Sequence, residues 1–194
     1  VSQYWLATHL TIACLIFAAT MAVARGLAPH SAPRSAPETR RFAGILVLLV
    51  LIQIYLGGLV AGLNAGFAYN TWPLMDGGIV PGDLLVQQPW FLNFFENAKT
   101  VQFVHRLGGY ILFFAALWHV FAARSADRAS THARRAVVLF HLVLLQAAIG
   151  VTTLLTVVDI GWALLHQAFA LIVLGFAAAH WRATKGSCPD ETAI

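Results

Sequence analysis

Five apolar stretches, each about as long as a bilayer is thick, dominate this chain. They run approximately Tyr4–Ala24, Phe42–Leu63, Val101–Ala123, Ala136–Val158 and Trp162–Trp181, and an α-helix needs roughly 20 residues to cross the hydrocarbon core. None of the five contains proline, so each can stay helical and satisfy its own backbone hydrogen bonds in lipid. Of the 194 residues, 59% are hydrophobic and 10% charged, where a soluble domain carries about 25% charged residues. The expected fold class is therefore all-α, a multi-pass transmembrane helical protein. The first stretch lacks the basic leader and small-residue cleavage site of a signal peptide, and it carries His9; it reads as a membrane helix.

Basic residues predict the topology. Arg25, Arg34, Arg40 and Arg41 follow the first span with one acid, Glu38, and Arg124, Arg128, Arg134 and Arg135 separate the third and fourth spans with Asp127. The long 64–100 connection has Lys99 alone against Asp76, Asp83 and Glu96. Short cation-rich loops stay cytoplasmic, which puts the N-terminus and the 64–100 loop outside and the C-terminal tail, with Arg182 and Lys185, inside. The net charge of +4 thus reflects topology and implies no nucleic-acid partner. Cys14 lies within a span and Cys188 in the tail, too far apart to pair, so no disulfide is expected. The chain divides into a first helix (1–24), an inner loop (25–41), a four-helix portion (42–182) with its outer loop (64–100), and an inner tail (183–194).

Within the four-helix portion there is an internal repeat. LVLIQIYLG at 49–57 matches LVLLQAAIG at 142–150, aligning Gln53 with Gln146 and Gly57 with Gly150. Each copy is followed by a helix with a histidine near its outer start, His105 or His166. Spans two to five read as two similar hairpins making a four-helix bundle with approximate two-fold symmetry. The first span, through THLTIACLIF, resembles LHQAFALIVL of the fifth and aligns His9 with His166. It looks like the last helix of an earlier bundle.

Of eight histidines, His30 and His132 fall in inner loops and read as solvated. His105 and His166 share a depth near the outer surface. Two imidazoles at one depth suit the axial positions of a heme iron, whereas zinc would want further ligands that these helices do not offer nearby. Gly57, Gly58, Gly108, Gly109 and Gly150 would let a flat macrocycle approach the backbone, and Arg106 could pair with a heme propionate. The competing structural reading is two histidines hydrogen-bonded to neighbouring helices, with glycines there for close packing. A third pattern is His119 and His180, each 14 residues beyond its partner. Fourteen residues make about 21 Å of helix and return almost to the same face, as two stacked hemes in a transmembrane electron-transfer cytochrome would need. Their position beside Trp118 and Trp181 near the inner ends equally suits interfacial residues, as does that of His141.

The outer loop contains AGLNAGFAYNTWPLMDGG at 61–78 and NFFENAKTVQFVHR at 93–106. The mixture of glycine, aromatic residues, Asn70, Thr71 and Pro73 suggests a fold-back cap over the bundle's outer mouth. With LLHQAFAL at 164–171, these segments resemble the heme A synthase family, particularly its proteobacterial and mitochondrial branch, over almost the whole chain. That resemblance implies eight helices in two similar halves, of which this chain would be the C-terminal portion lacking the first three helices. It implies heme b held between His105 and His166 as an electron-transfer cofactor, and heme O as substrate, with His9 a possible ligand on the substrate side. The reaction is the oxidation of a porphyrin methyl group to a formyl, by two hydroxylations and loss of water, making heme A for terminal oxidases. Further expected partners are the missing N-terminal helices, heme O synthase, an electron donor and membrane lipid, in a bacterial cytoplasmic membrane. The substrate-side half of the family has a glutamate three residues before its first histidine. Gln102 stands in the matching place before His105 and can act as neither acid nor base. The chain by itself is therefore not expected to catalyse the reaction.

Overall fold

The computed structural model describes residues 2–28 and 33–186, and all regular structure in them is helical. The long helices are α1 (Gln3–Leu27), α2 (Pro37–Gly62), α4 (Ala98–Ala126), α5 (Thr131–Leu155) and α6 (Ile160–Ala183), with a single turn, α3 (Asn93–Glu96), in the outer loop. All five long helices are apolar enough to cross a membrane, as the sequence predicts.

Local chemistry sets where they begin. Ser2 caps α1, Asn97 accepts from the Lys99 and Thr100 amides at the start of α4, Ser130 caps α5, and Asp159 accepts from Gly161 and Trp162 at the start of α6. These polar side chains satisfy amides that have no partner within the helix. α2 instead opens on Pro37, whose missing amide costs nothing there. The helices consequently outrun the apolar stretches, α5 by five residues at its start. α5 also ends earlier than expected, at Leu155, because Val157 and Val158 turn back with φ of 55° and 57°.

Helices α2, α4, α5 and α6 close into a ring in that order, with α1 in the groove between α2 and α6. α4 therefore stands diagonally opposite α6. Leu46, Val50, Leu112, Ala116, Leu139, Val143, Leu174 and Ala177 form the middle of the bundle, joined by Cys14 and Ala18 of α1. A smaller cluster of Ala7, Leu59 and Val101 lies near the outer end. Between these two layers no side chain is fully buried on α2 over 51–57, on α4 over 103–111, on α5 over 144–148 or on α6 before Val173.

The outer loop folds back over the bundle, as its composition suggests. Gln102 donates to the carbonyls of Ala65 and Tyr69, and Arg106 to those of Tyr69, Thr71 and Leu74. Asn70 reaches Leu154 at the end of α5. Lys99 pairs with Asp76 at 2.8 Å, and Thr100 donates to the Leu84 carbonyl. Tyr4 of α1 donates to Glu96 at 2.8 Å. Cys14 is buried in α1; Cys188 and most of the tail lie outside the described residues, as does His30.

Candidate functional site: two imidazoles in repeated clefts

His105 and His166 lie in this half-buried band, each against its own hairpin partner. In the α2–α4 hairpin, Gln53 Nε2 donates to the His105 carbonyl at 2.9 Å and lies 3.1 Å from the ring Nδ1. In the α5–α6 hairpin, Gln146 Nε2 donates to the His166 carbonyl at 2.9 Å and lies 3.2 Å from its Nδ1. The repeat read from the sequence is thus a repeat of contacts. One amide grips both the backbone and the ring of the histidine on the next helix.

The glycine one turn along completes each cleft. A Cβ on Gly57 would stand 3.2 Å from Cε1 of His105, and one on Gly150 would stand 2.7 Å from Cε1 of His166. Real Cβ atoms scarcely occur at the second distance, so the His166 ring rests where only glycine leaves room, while the His105 ring fits tightly against Gly57. The remaining glycines divide differently from expectation. Gly58 would meet the Ala7 backbone at 2.8 Å and is a packing contact between α1 and α2; Gly108 would meet Gln53 Oε1 and makes room for that side chain.

The donor set suits axial ligation of a porphyrin iron. The two imidazoles stand on α4 and α6, which lie diagonally opposite in the ring. Both residues are half-buried, and Nε2 of His166 has no hydrogen-bond partner among the described residues. Gln53 Oε1 and Gln146 Oε1 are both buried without partners, so each cleft retains an acceptor beside its imidazole. Such outer contacts orient metal-binding histidines. Arg106 spends its terminal nitrogens on the loop carbonyls and leaves Nε buried and unpaired. His9 is exposed on α1. Ala7 touches Gly58, and α1 runs antiparallel to α2, so His9 sits within about 1.5 Å of helix rise of the level at which Gly57 meets His105.

His119 and His180 depart from the interfacial expectation. Both are 0% exposed, and their Nε2 atoms are 2.9 Å apart, a direct hydrogen bond. In this arrangement one proton is shared between the two ring nitrogens. His132, expected in solvent, is 4% exposed; its Nε2 bonds the Pro33 carbonyl at 2.7 Å and its ring lies 6.3 Å from that of His180. His141 stands ten residues into α5, which begins at Thr131, and its Nδ1 bonds the Val137 carbonyl. Sequence reasoning aligned Gln53 with Gln146 but assigned them no role. The signal was their fixed four-residue offset from the two ring-bearing glycines.

Fold and site together define a class: a multi-pass helical membrane protein with paired histidines in a pseudo-symmetric four-helix bundle. The chain belongs to the cytochrome oxidase assembly protein family, whose model matches residues 1–178. It is 68% identical to heme A synthase of Mesorhizobium japonicum over 97% of this chain and 52% of that protein. It is also 68% identical to heme A synthase of Chelativorans sp. over 97% of this chain and 52% of that protein, and 64% identical to that of Rhizobium meliloti over 100% and 53%. The chain spans about half the length of the curated relatives it matches. No solved structure matches it.

Proposed function

We propose that this chain is the C-terminal, heme b-binding half of a heme A synthase, the enzyme that oxidises a methyl group of heme O to the formyl of heme A. The observation that carries the reading is the twice-built cleft: Gln53, Gly57 and His105 on one hairpin, Gln146, Gly150 and His166 on the other. High identity to heme A synthases over the whole chain supports it.

In this reading His105 and His166 would hold the heme iron, and a bound heme b would supply one-electron redox chemistry. Gln53 and Gln146 fix the depth and turn of each imidazole through its own backbone carbonyl. Arg106 locks the cap over the outer mouth, which limits water at the site, and its unpaired Nε is the donor left for a propionate. Gln102 cannot exchange a proton and serves the cap, which fits a half that holds a cofactor. His9, exposed on α1 near the same level, is a ligand for the substrate heme together with helices of the longer relatives that this sequence does not span. Residues 1–24 then belong to the substrate-side bundle and 42–182 to the cofactor bundle. The arginine-rich connections lie on the cytoplasmic side of a bacterial cytoplasmic membrane, with the N-terminus and cap on the outer side. Heme O synthase and an electron donor are the expected partners.

The test is the purified protein's reduced-minus-oxidised spectrum with iron counted per chain. One b-type heme is expected, lost in His105→Ala and in His166→Ala. Normal heme in either variant removes the ligand assignment; two hemes per chain would instead support a diheme electron-transfer cytochrome.

A further inference from the structure

The end of the bundle farthest from His105 carries two adjoining cavities. One, of about 330 Å³, is lined by Arg124, Arg128, Ala133, Arg134 and Val137; the other, of about 300 Å³, by Val120, Phe121, Arg124, Ser125 and Arg128. Arg124 and Arg128 belong to both. The guanidinium groups come from the last turn of α4, the connection after it and the first turn of α5. Among the described residues none of the three forms an ion pair, and their side chains make one hydrogen bond, from Arg134 to Thr131 at 3.4 Å. The nearby carboxylate, Asp127, accepts from the Ala129 amide.

Charge sidedness alone asks only that arginines lie on this side of the membrane. It does not ask that three converge unpaired on shared cavities with apolar walls. On α4 the cavities continue into exposed Phe121, Trp118 and Phe114, spaced three and four residues apart and so on one lipid-facing stripe. Arginine on a phosphate gives paired, charge-assisted hydrogen bonds, and an apolar stripe leading away from it suits acyl chains. A basic pocket between transmembrane helices at the headgroup level is the arrangement that binds acidic phospholipids.

We propose that Arg124, Arg128 and Arg134 form a binding site for the headgroup of an anionic phospholipid whose acyl chains run along Phe121, Trp118 and Phe114. Three guanidinium groups against one carboxylate leave an excess of two positive charges, which matches the two phosphodiesters of a diphosphatidylglycerol. The site is separate from the histidine clefts, and the proposal does not rest on what those clefts hold.

The full chain in mild detergent, equilibrated with equal amounts of diphosphatidylglycerol, phosphatidylglycerol and phosphatidylcholine, is read by native mass spectrometry. Retention is expected in that order, with diphosphatidylglycerol favoured over phosphatidylcholine by about tenfold or more. Retention of diphosphatidylglycerol falls about tenfold or more in the triple variant R124Q/R128Q/R134Q. It changes less than about twofold in R34Q/R40Q/R41Q, which removes the same charge from the same end of the bundle. Should the first triple variant fail to fold, Arg128→Gln alone, at an exposed position, is expected to lose about fivefold. Millimolar inorganic phosphate should leave the bound lipid in place. Equal retention of phosphatidylcholine, equal loss in both triple variants, no loss in Arg128→Gln, or displacement by free phosphate would each overturn the assignment.

Discussion

At the scale of single residues, the site depends on atoms that are absent as much as on atoms that are present. Gly150 leaves less room than Gly57, since its missing Cβ would be 2.7 Å from His166 where the other would be 3.2 Å from His105. Gly150→Ala should therefore displace its imidazole and lower the heme retained after purification. Gly57→Ala should do so less, because a few tenths of an ångström relieve that contact; overpacking costs about 1–3 kcal/mol. Absorbance per chain ranks the two variants, and the reverse order would contradict the cleft geometry. The buried pair His119–His180 behaves differently. His119→Leu leaves His180 without its partner and should destabilise the fold by roughly 1–3 kcal/mol, yet keep one heme per chain. Adding His180→Leu should cost less than the sum of the two single changes, because no orphaned nitrogen remains to be desolvated. Melting of all four proteins in detergent measures that coupling.

At the scale of elements, capping side chains and one arginine do most of the positioning. The apolar runs located every long helix, but hydropathy carries no information about caps. The start of α5 moved from Ala136 back to Thr131 because Ser130 satisfies the Ala133 amide. That shift took His132 out of a loop and into the packed interior. The outer cap was legible as a fold-back from its glycine, aromatic and asparagine content. Its fastening was not, since Arg106 binds carbonyls 32 to 37 residues earlier in the chain. Arg106→Ala should free residues 67–80 while leaving the bundle folded. Limited proteolysis there should speed up about tenfold, the effect of losing about 1.4 kcal/mol of local stability. Unchanged cleavage would show that Gln102 and Asn70 hold the cap without it.

At the scale of the whole molecule, two hairpins of similar sequence close a ring whose diagonal carries His105 and His166, and α1 extends that ring toward exposed His9. If this is one half of a heme A synthase, the chain joined to the helices that its relatives possess and it does not span should convert heme O to heme A. Pigment extraction and chromatography detect the product. A well-folded, heme-loaded assembly that never yields heme A would count against the enzyme while leaving the cofactor bundle standing. The sequence by itself determined the five spans and the repeated Gln–Gly spacing. Those follow from rise per residue and from the cost of polar groups in lipid, which are local quantities. Only the tertiary structure decided which helix faces which. It thereby made one histidine pair a hydrogen bond and gave the other two separate clefts. Partner choice depends on how side-chain shapes close against one another across the bundle, and spacing along a single helix carries no record of that.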